Sequence, residues 1–226
     1  MPYVYQIVTS ASQDRLEKLI QERLRPGADK ERLDSRIWDL FGEQWAVMYT
    51  DLSGFSRRVA EFGIIHFLQT IFESQRILVP CVEAFDGILV KSEGDSLMVI
   101  FRSAQKALDC SLAMQNAVKE YNVGQSETEQ ILLCVGLGFG RILRIGDHDV
   151  FGAEVNAASK LGEDMAKSWE VLVTAGVVEE ICRVGGLPEG VSFEGLDEVP
   201  PGAESAYRVV YSIDGVRMGG RNGDHL

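Results

Sequence analysis

The sequence predicts an α+β domain, and three observations carry that reading. Between about residues 45 and 138, apolar segments alternate in the order strand, helix, hairpin, helix, strand. That order is the ferredoxin-like βαββαβ arrangement. More strand and helix segments follow up to residue 211, so the core carries C-terminal additions. The chain has 226 residues, 46% hydrophobic and 25% charged, enough for one good-sized core and a small extension.

The elements follow in order. Leu16, Leu19, Ile20 and Leu24 recur at helical spacing, as do Leu33, Ile37, Leu40 and Phe41, with Arg25-Pro26-Gly27 as the break. Residues 1–42 therefore read as an N-terminal helical extension packed on the domain. A dimerisation or signal-relay helix, receiving an upstream sensor or regulatory protein, is the competing reading; sustained heptads are absent. Residues 45–51 form the first core strand. Residues 55–84 are helical, with Phe67, Leu68, Ile71, Phe72, Leu78 and Val82 on one face and Gly63 as a joint. Asp86-Gly87 turns the chain into a hairpin over 88–101. A helix over 103–121 starts at Ser103 as N-cap. Residues 131–145 are extended and 152–166 helical. A short strand over 170–174, a helix over 175–184, and strands over 191–199 and 205–211 close the core domain, 43–211. The glycine-rich segment 212–226 reads as a flexible tail.

Charge and composition exclude several function classes. Net charge is −12, from 34 acidic and 22 basic residues, which argues against nucleic-acid binding. It does not exclude nucleotides, because metals supply local positive charge. No stretch approaches the roughly 20 apolar residues of a membrane span. Residues 1–6 lack the basic and apolar regions of a signal peptide. Cys81, Cys110, Cys134 and Cys182 are scattered, which reads as buried free thiols in a reducing cytoplasm. His66, His148 and His225 form no pair at ligand spacing.

Two acidic turns stand at strand ends. Asp51-Leu52-Ser53-Gly54-Phe55-Ser56 follows the first strand, and Lys91-Ser92-Glu93-Gly94-Asp95-Ser96 occupies the hairpin tip. Alone, Asp51 reads as a helix N-cap and Asp95 as a turn residue. Together they make a hard oxygen site for Mg²⁺ or Mn²⁺, and two such metals can clamp a triphosphate and activate a hydroxyl. The amides of Ser53, Gly54 and Phe55, at a helix start, suit phosphates. A third segment runs Asp149-Val150-Phe151-Gly152-Ala153-Glu154-Val155-Asn156-Ala157-Ala158-Ser159-Lys160.

These three segments, in this order, resemble the catalytic domain of class III adenylate/guanylate cyclases over about residues 45–211. The resemblance implies a nucleotide cyclase core that converts ATP to 3′,5′-cyclic AMP and pyrophosphate. It implies two divalent cations on Asp51, Asp95 and the Leu52 carbonyl. Lys91 and Asp149 match the purine-recognition pair in its adenine form; guanylate cyclases typically carry Glu and Cys there. Asn156 matches the ribose-orienting asparagine, and Asp147 lies close enough to be the alternative to Asp149. Lys160 stands where the family has the arginine that stabilises the transition state. Lysine keeps the charge but loses the planar fork, so weakened catalysis is expected. The family's lysine for the triphosphate tail has no counterpart in Val199-Pro200-Pro201-Gly202; Arg57, Arg58, Arg141 and Arg144 are the candidate substitutes. In the family, the metal half-set of one chain faces the purine and ribose half-set of another, which implies a homodimer. Two readings stand: an active adenylate cyclase, and a degenerate cyclase homology domain that binds nucleotide or a partner with little or no turnover. A diguanylate cyclase is disfavoured, because Glu93-Gly94-Asp95-Ser96-Leu97 lacks that signature.

Overall fold

The computed structural model describes residues 10–54, 63–213 and 215–219. Helices α1 (Ala11–Arg23) and α2 (Lys30–Phe41) precede strand β1 (Gly42–Leu52). Ser10 caps α1 by accepting from the Gln13 amide, and Asp29 caps α2 by accepting from the Arg32 amide. The core continues with α3 (Ile64–Ala84), β2 (Ile88–Glu93), β3 (Ser96–Phe101), α4 (Ala104–Asn122) and β4 (Leu133–Ile145). Ser103 caps α4 as the sequence predicts. The stretch expected to be helical over 55–84 is helical from Ile64; residues 55–62 lie outside the described residues.

Sheet order is β2-β3-β1-β4-β6-β8-β7, with β6 (Val171–Thr174), β7 (Ser192–Gly195) and β8 (Ala206–Ile213) as the additions. The first four strands pair antiparallel in the order β4-β1-β3-β2, the ferredoxin-like order. Side chains alternate across this sheet. Ala46, Met48, Leu97, Val99, Leu133, Val135 and Leu137 face α3, α4 and α6 (Ala175–Val184) and form the main core. Trp45, Val47, Met98, Ile100 and Ile142 face the other way and pack against β5 (Asp149–Phe151) and α5 (Ala153–Ser159). This second face carries the functional candidates.

Three sequence expectations change. The strand predicted over 191–199 is confined to Ser192–Gly195, ahead of Pro200 and Pro201, which have no N–H for a ladder. The tail expected from residue 212 is ordered in part: β8 runs to Ile213, and β9 (Val216–Met218) pairs back onto it, burying Met218. The N-terminal helices pack on the domain, with Leu19, Leu33, Ile37 and Phe41 buried around Ile145. Cys110 and Cys134 are buried, whereas Cys81 is half-buried and Cys182 exposed, so only two of the four fit the buried-thiol reading. Among the described residues no helix is long and apolar enough to cross a membrane.

Candidate active site

β1 and β3 run antiparallel with Thr50 opposite Leu97, and the Thr50 hydroxyl accepts from the Leu97 amide at 3.2 Å. This register brings the end of β1 beside the hairpin tip. Gly54 (φ 84°) and Gly94 (φ 59°) make the two turns, in backbone regions that glycine reaches without strain. Asp51 and Asp95 consequently meet. Their side chains hydrogen-bond to each other and both accept from the Leu52 N–H. Burial pushes both carboxyls up, and the neighbouring Asp95 charge helps carry Asp51 to about 7.

No cation among the described residues contributes to either shift. Nor do the described residues gather three or more His, Cys, Asp or Glu that could hold a metal by themselves. Two close carboxylates without further protein ligands suit Mg²⁺ or Mn²⁺, which commonly take one or two carboxylates plus phosphate oxygens and water. The donor set therefore fits the implied cations.

The other half-set comes from β2, β5 and α5. The β4–β5 hairpin folds back over the second face, and Lys91 Nζ meets Asp149 Oδ2 at 2.7 Å. Asp149 Oδ1 accepts from the Val150 amide, so the acid is held from both sides. Asp147 instead pairs with Arg144, which makes Asp149 the acid beside Lys91. Asn156 and Lys160 are both exposed along α5 and the π-helical turn that follows it, Lys160–Met165. Lys160 is ion-paired with Asp164, four residues on. It also lines a groove of about 720 Å³ with Lys167, Glu170, Arg208 and the 199–201 loop.

Some expectations shift. The Ser53 amide already donates to the Leu132 carbonyl at 2.8 Å, so it is not a free phosphate donor. Gly54 is in place, while Phe55, Arg57 and Arg58 lie outside the described residues. Arg141 stacks on Trp38 and donates to its carbonyl. Arg144 stacks on Trp45 and bonds Gly146 and Asp147. Both candidate tail arginines are thus engaged elsewhere. The resemblance implies the Leu52 carbonyl as a ligand; in the structure it is the Leu52 N–H that serves the acid pair.

Three features escaped sequence reasoning. Gly136, Gly138 and Gly140 alternate along β4 beneath α5. A Cβ on Gly136 would meet the Ala158 oxygen at 2.2 Å, and one on Gly138 the Glu154 oxygen at 2.5 Å. Alternating glycines in a strand are a readable signal of close backbone approach. Glu154 is the second feature: its Oε2 accepts from the Phe139 amide (3.0 Å) and the Thr174 hydroxyl (2.7 Å), pinning the first turn of α5. The third is Glu163, whose Oε1 accepts from Ser96 Oγ at 2.9 Å and whose Oε2 accepts from Ser159 Oγ. Its charge reaches Asp51, Asp95 and Tyr49, and helps push the Tyr49 hydroxyl up to about 12, behind burial as the main cause.

A family profile described as the adenylate and guanylate cyclase catalytic domain matches residues 42–199. The chain is 30% identical over 131 residues to the serine/threonine-protein kinase pkn2 of Myxococcus xanthus, covering 58% of this chain and 16% of that protein. It is 29% identical over 187 residues to an adenylate cyclase of Streptomyces coelicolor, covering 82% and 43%. The chain thus spans less than half the length of either relative. Among solved structures, an adenylate/guanylate cyclase/hydrolase from Silicibacter pomeroyi matches with a TM-score of 0.60 at 22% identity, over 74% of this chain and 96% of that one. At that identity the likeness bears on the fold.

Proposed function

This chain belongs to the adenylate and guanylate cyclase catalytic-domain family, and from that premise we propose that it converts ATP to 3′,5′-cyclic AMP and pyrophosphate at sites shared by two copies. The observation that carries the reading is the meeting of Asp51 and Asp95 with no balancing cation among the described residues. Divalent cations bound there would lower the pKa of the ribose 3′-hydroxyl and offset triphosphate charge. The bond formed joins O3′ to the α-phosphorus, and the bond broken releases pyrophosphate.

The remaining roles belong to the chain's own residues. Lys91 and Asp149 set a donor and an acceptor side by side, the complement of adenine's N1 acceptor and N6 donor. Guanine presents the reverse at those positions. Asn156 orients the ribose of the partner copy's substrate, and Lys160 meets the charge that develops on the α-phosphate. Gly54 lies next to the phosphates. The family-level adenylate reading also draws on the Streptomyces coelicolor relative. Free cysteines fit a reducing, cytoplasmic setting. The exposed Ile20, Leu24 and Leu40 on the N-terminal helices offer a surface to an upstream regulatory partner.

A second reading has its own support. Lys160 offers a point charge where the family's arginine would offer a planar fork, and the 199–202 segment has no tail lysine. On that reading the domain binds nucleotide with little turnover. The deciding experiment is cyclic AMP formation from ATP and Mn²⁺, beside Asp95→Ala and a parallel GTP reaction. Cyclic AMP that vanishes in the variant supports the adenylate cyclase. Cyclic GTP as the main product overturns the adenine assignment. No product at dimer-forming concentrations favours the binding domain.

A further inference from the structure

The turn after α5 is a π-helical turn, closed by the Ala166 amide on the Leu161 carbonyl at 2.8 Å. Gly162 lets this turn lie against the sheet: a Cβ there would meet the Tyr49 oxygen at 2.8 Å. The next residue, Glu163, therefore stands over the end of β1. One oxygen holds Ser96, the neighbour of Asp95; the other holds Ser159, the neighbour of Lys160. A single exposed carboxylate thus ties the metal half-set to the helix end that carries the catalytic lysine, within one chain. In a dimer with shared sites these two half-sets serve opposite centres.

We propose that Glu163 is a positioning residue that couples the two centres. When divalent cations are held by Asp51 and Asp95 in one centre, Glu163 is drawn toward them and releases Ser159. The helix end that presents Lys160 to the other centre then loosens. Occupancy of one centre lowers metal and nucleotide affinity at the other, giving half-of-the-sites behaviour. The inference rests on the shared-site reading above. It needs no new ligand, only the charge of Glu163 and its two serine contacts.

The test is calorimetric titration of the full chain with a non-hydrolysable ATP analogue preloaded with Mn²⁺, so that each centre takes up metal and nucleotide as one ligand. Wild type should bind in two unequal steps, with affinities separated by roughly 5- to 150-fold, the usual range of coupling. Glu163→Gln keeps the shape and both serine contacts but removes the charge, and should merge the two steps. Ser96→Ala, at an exposed tether, should narrow the gap and serves if Glu163→Gln melts early. A single step in wild type, or unequal steps that persist in both variants, overturns the proposal. Two unequal steps without cyclic nucleotide formation would keep the coupling and overturn the cyclase reading. Mn²⁺ binding undiminished by Asp95→Ala overturns both.

Discussion

Asp51 and Asp95 meet as like charges, while Lys91 and Asp149, on the same face of the sheet, meet as opposite charges 2.7 Å apart. The acid pair gains from the fold a mutual hydrogen bond and the Leu52 N–H, with the Asp95 carboxyl also taking its own N–H. The ion pair is satisfied as it stands and partly exposed, so it contributes little to stability. The difference shows which region the fold leaves electrostatically unbalanced. Two half-buried carboxylates hold an unfavourable arrangement, which on the proposed reading divalent cations would relieve. The lysine and aspartate hold a donor and an acceptor side by side at little cost, and on the proposed reading that pattern would open toward a complementary purine edge.

The largest expected effect breaks the acid pair. Asp95→Ala should lower cyclic nucleotide formation by about 10³-fold or more, since metal ligation supplies several kcal/mol to such reactions. Mn²⁺ binding should fall with it, while the metal-free protein melts no earlier than wild type, because one of two repelling charges is gone. Activity retained in Asp95→Ala would sink the site. Next comes the ion pair. Lys91→Glu with Asp149→Cys should move the ATP-to-GTP ratio of kcat/KM toward GTP by at least about 10²-fold, because polar pockets discriminate strongly against mispaired edges. An unchanged ratio would remove these residues from purine recognition.

How much of this was legible depends on the range of the interaction. The βαββαβ order and the Ser103 cap follow from periodicity and capping chemistry, both local. The Asp51–Asp95 meeting was legible because Asp51 lies near the end of β1 and Asp95 in the turn ahead of β3, strands that the order makes neighbours. The Ser96–Glu163 contact was not: Gly162-Glu163-Asp164 reads as a solvated charge run, and its contact with the hairpin tip is long-range. β9 was missed because a glycine-rich tail gives no strand period, although Met218 packs under it. The Gly136, Gly138, Gly140 alternation was there to be read, but an apolar strand masked it. Gly138→Ala should test that stripe: overpacking typically costs about 1–3 kcal/mol, and lifting α5 should lower turnover while Lys91 and Asp149 remain paired.

A gentler perturbation separates the two pairs by pH. Asp51 titrates near 7 in the fold and near 3.9 unfolded. The folded state thus holds the proton more tightly, and stability falls as pH rises between these values. In chelator, the melting temperature of wild type should drop relative to Asp51→Asn from about pH 4 to about pH 7, then run parallel above it. Mn²⁺ should cancel that drop in wild type only. A gap that does not change with pH would mean the acid pair is solvated and carries no strain.

The smallest effect belongs to Lys160. Its ammonium is exposed and paired with Asp164, an i,i+4 partner, and such pairs contribute little. Asp164→Asn should therefore change kcat by less than about 2-fold, too weak a tie to act as a brake. Lys160→Arg is the informative partner experiment. A guanidinium offers a planar fork to the developing phosphate charge, so turnover should rise with little change in KM. A gain in Lys160→Arg with none in Asp164→Asn would locate the deficit in the shape of the cation rather than in its tether. The reverse pattern would make Asp164 the residue that holds this centre in check.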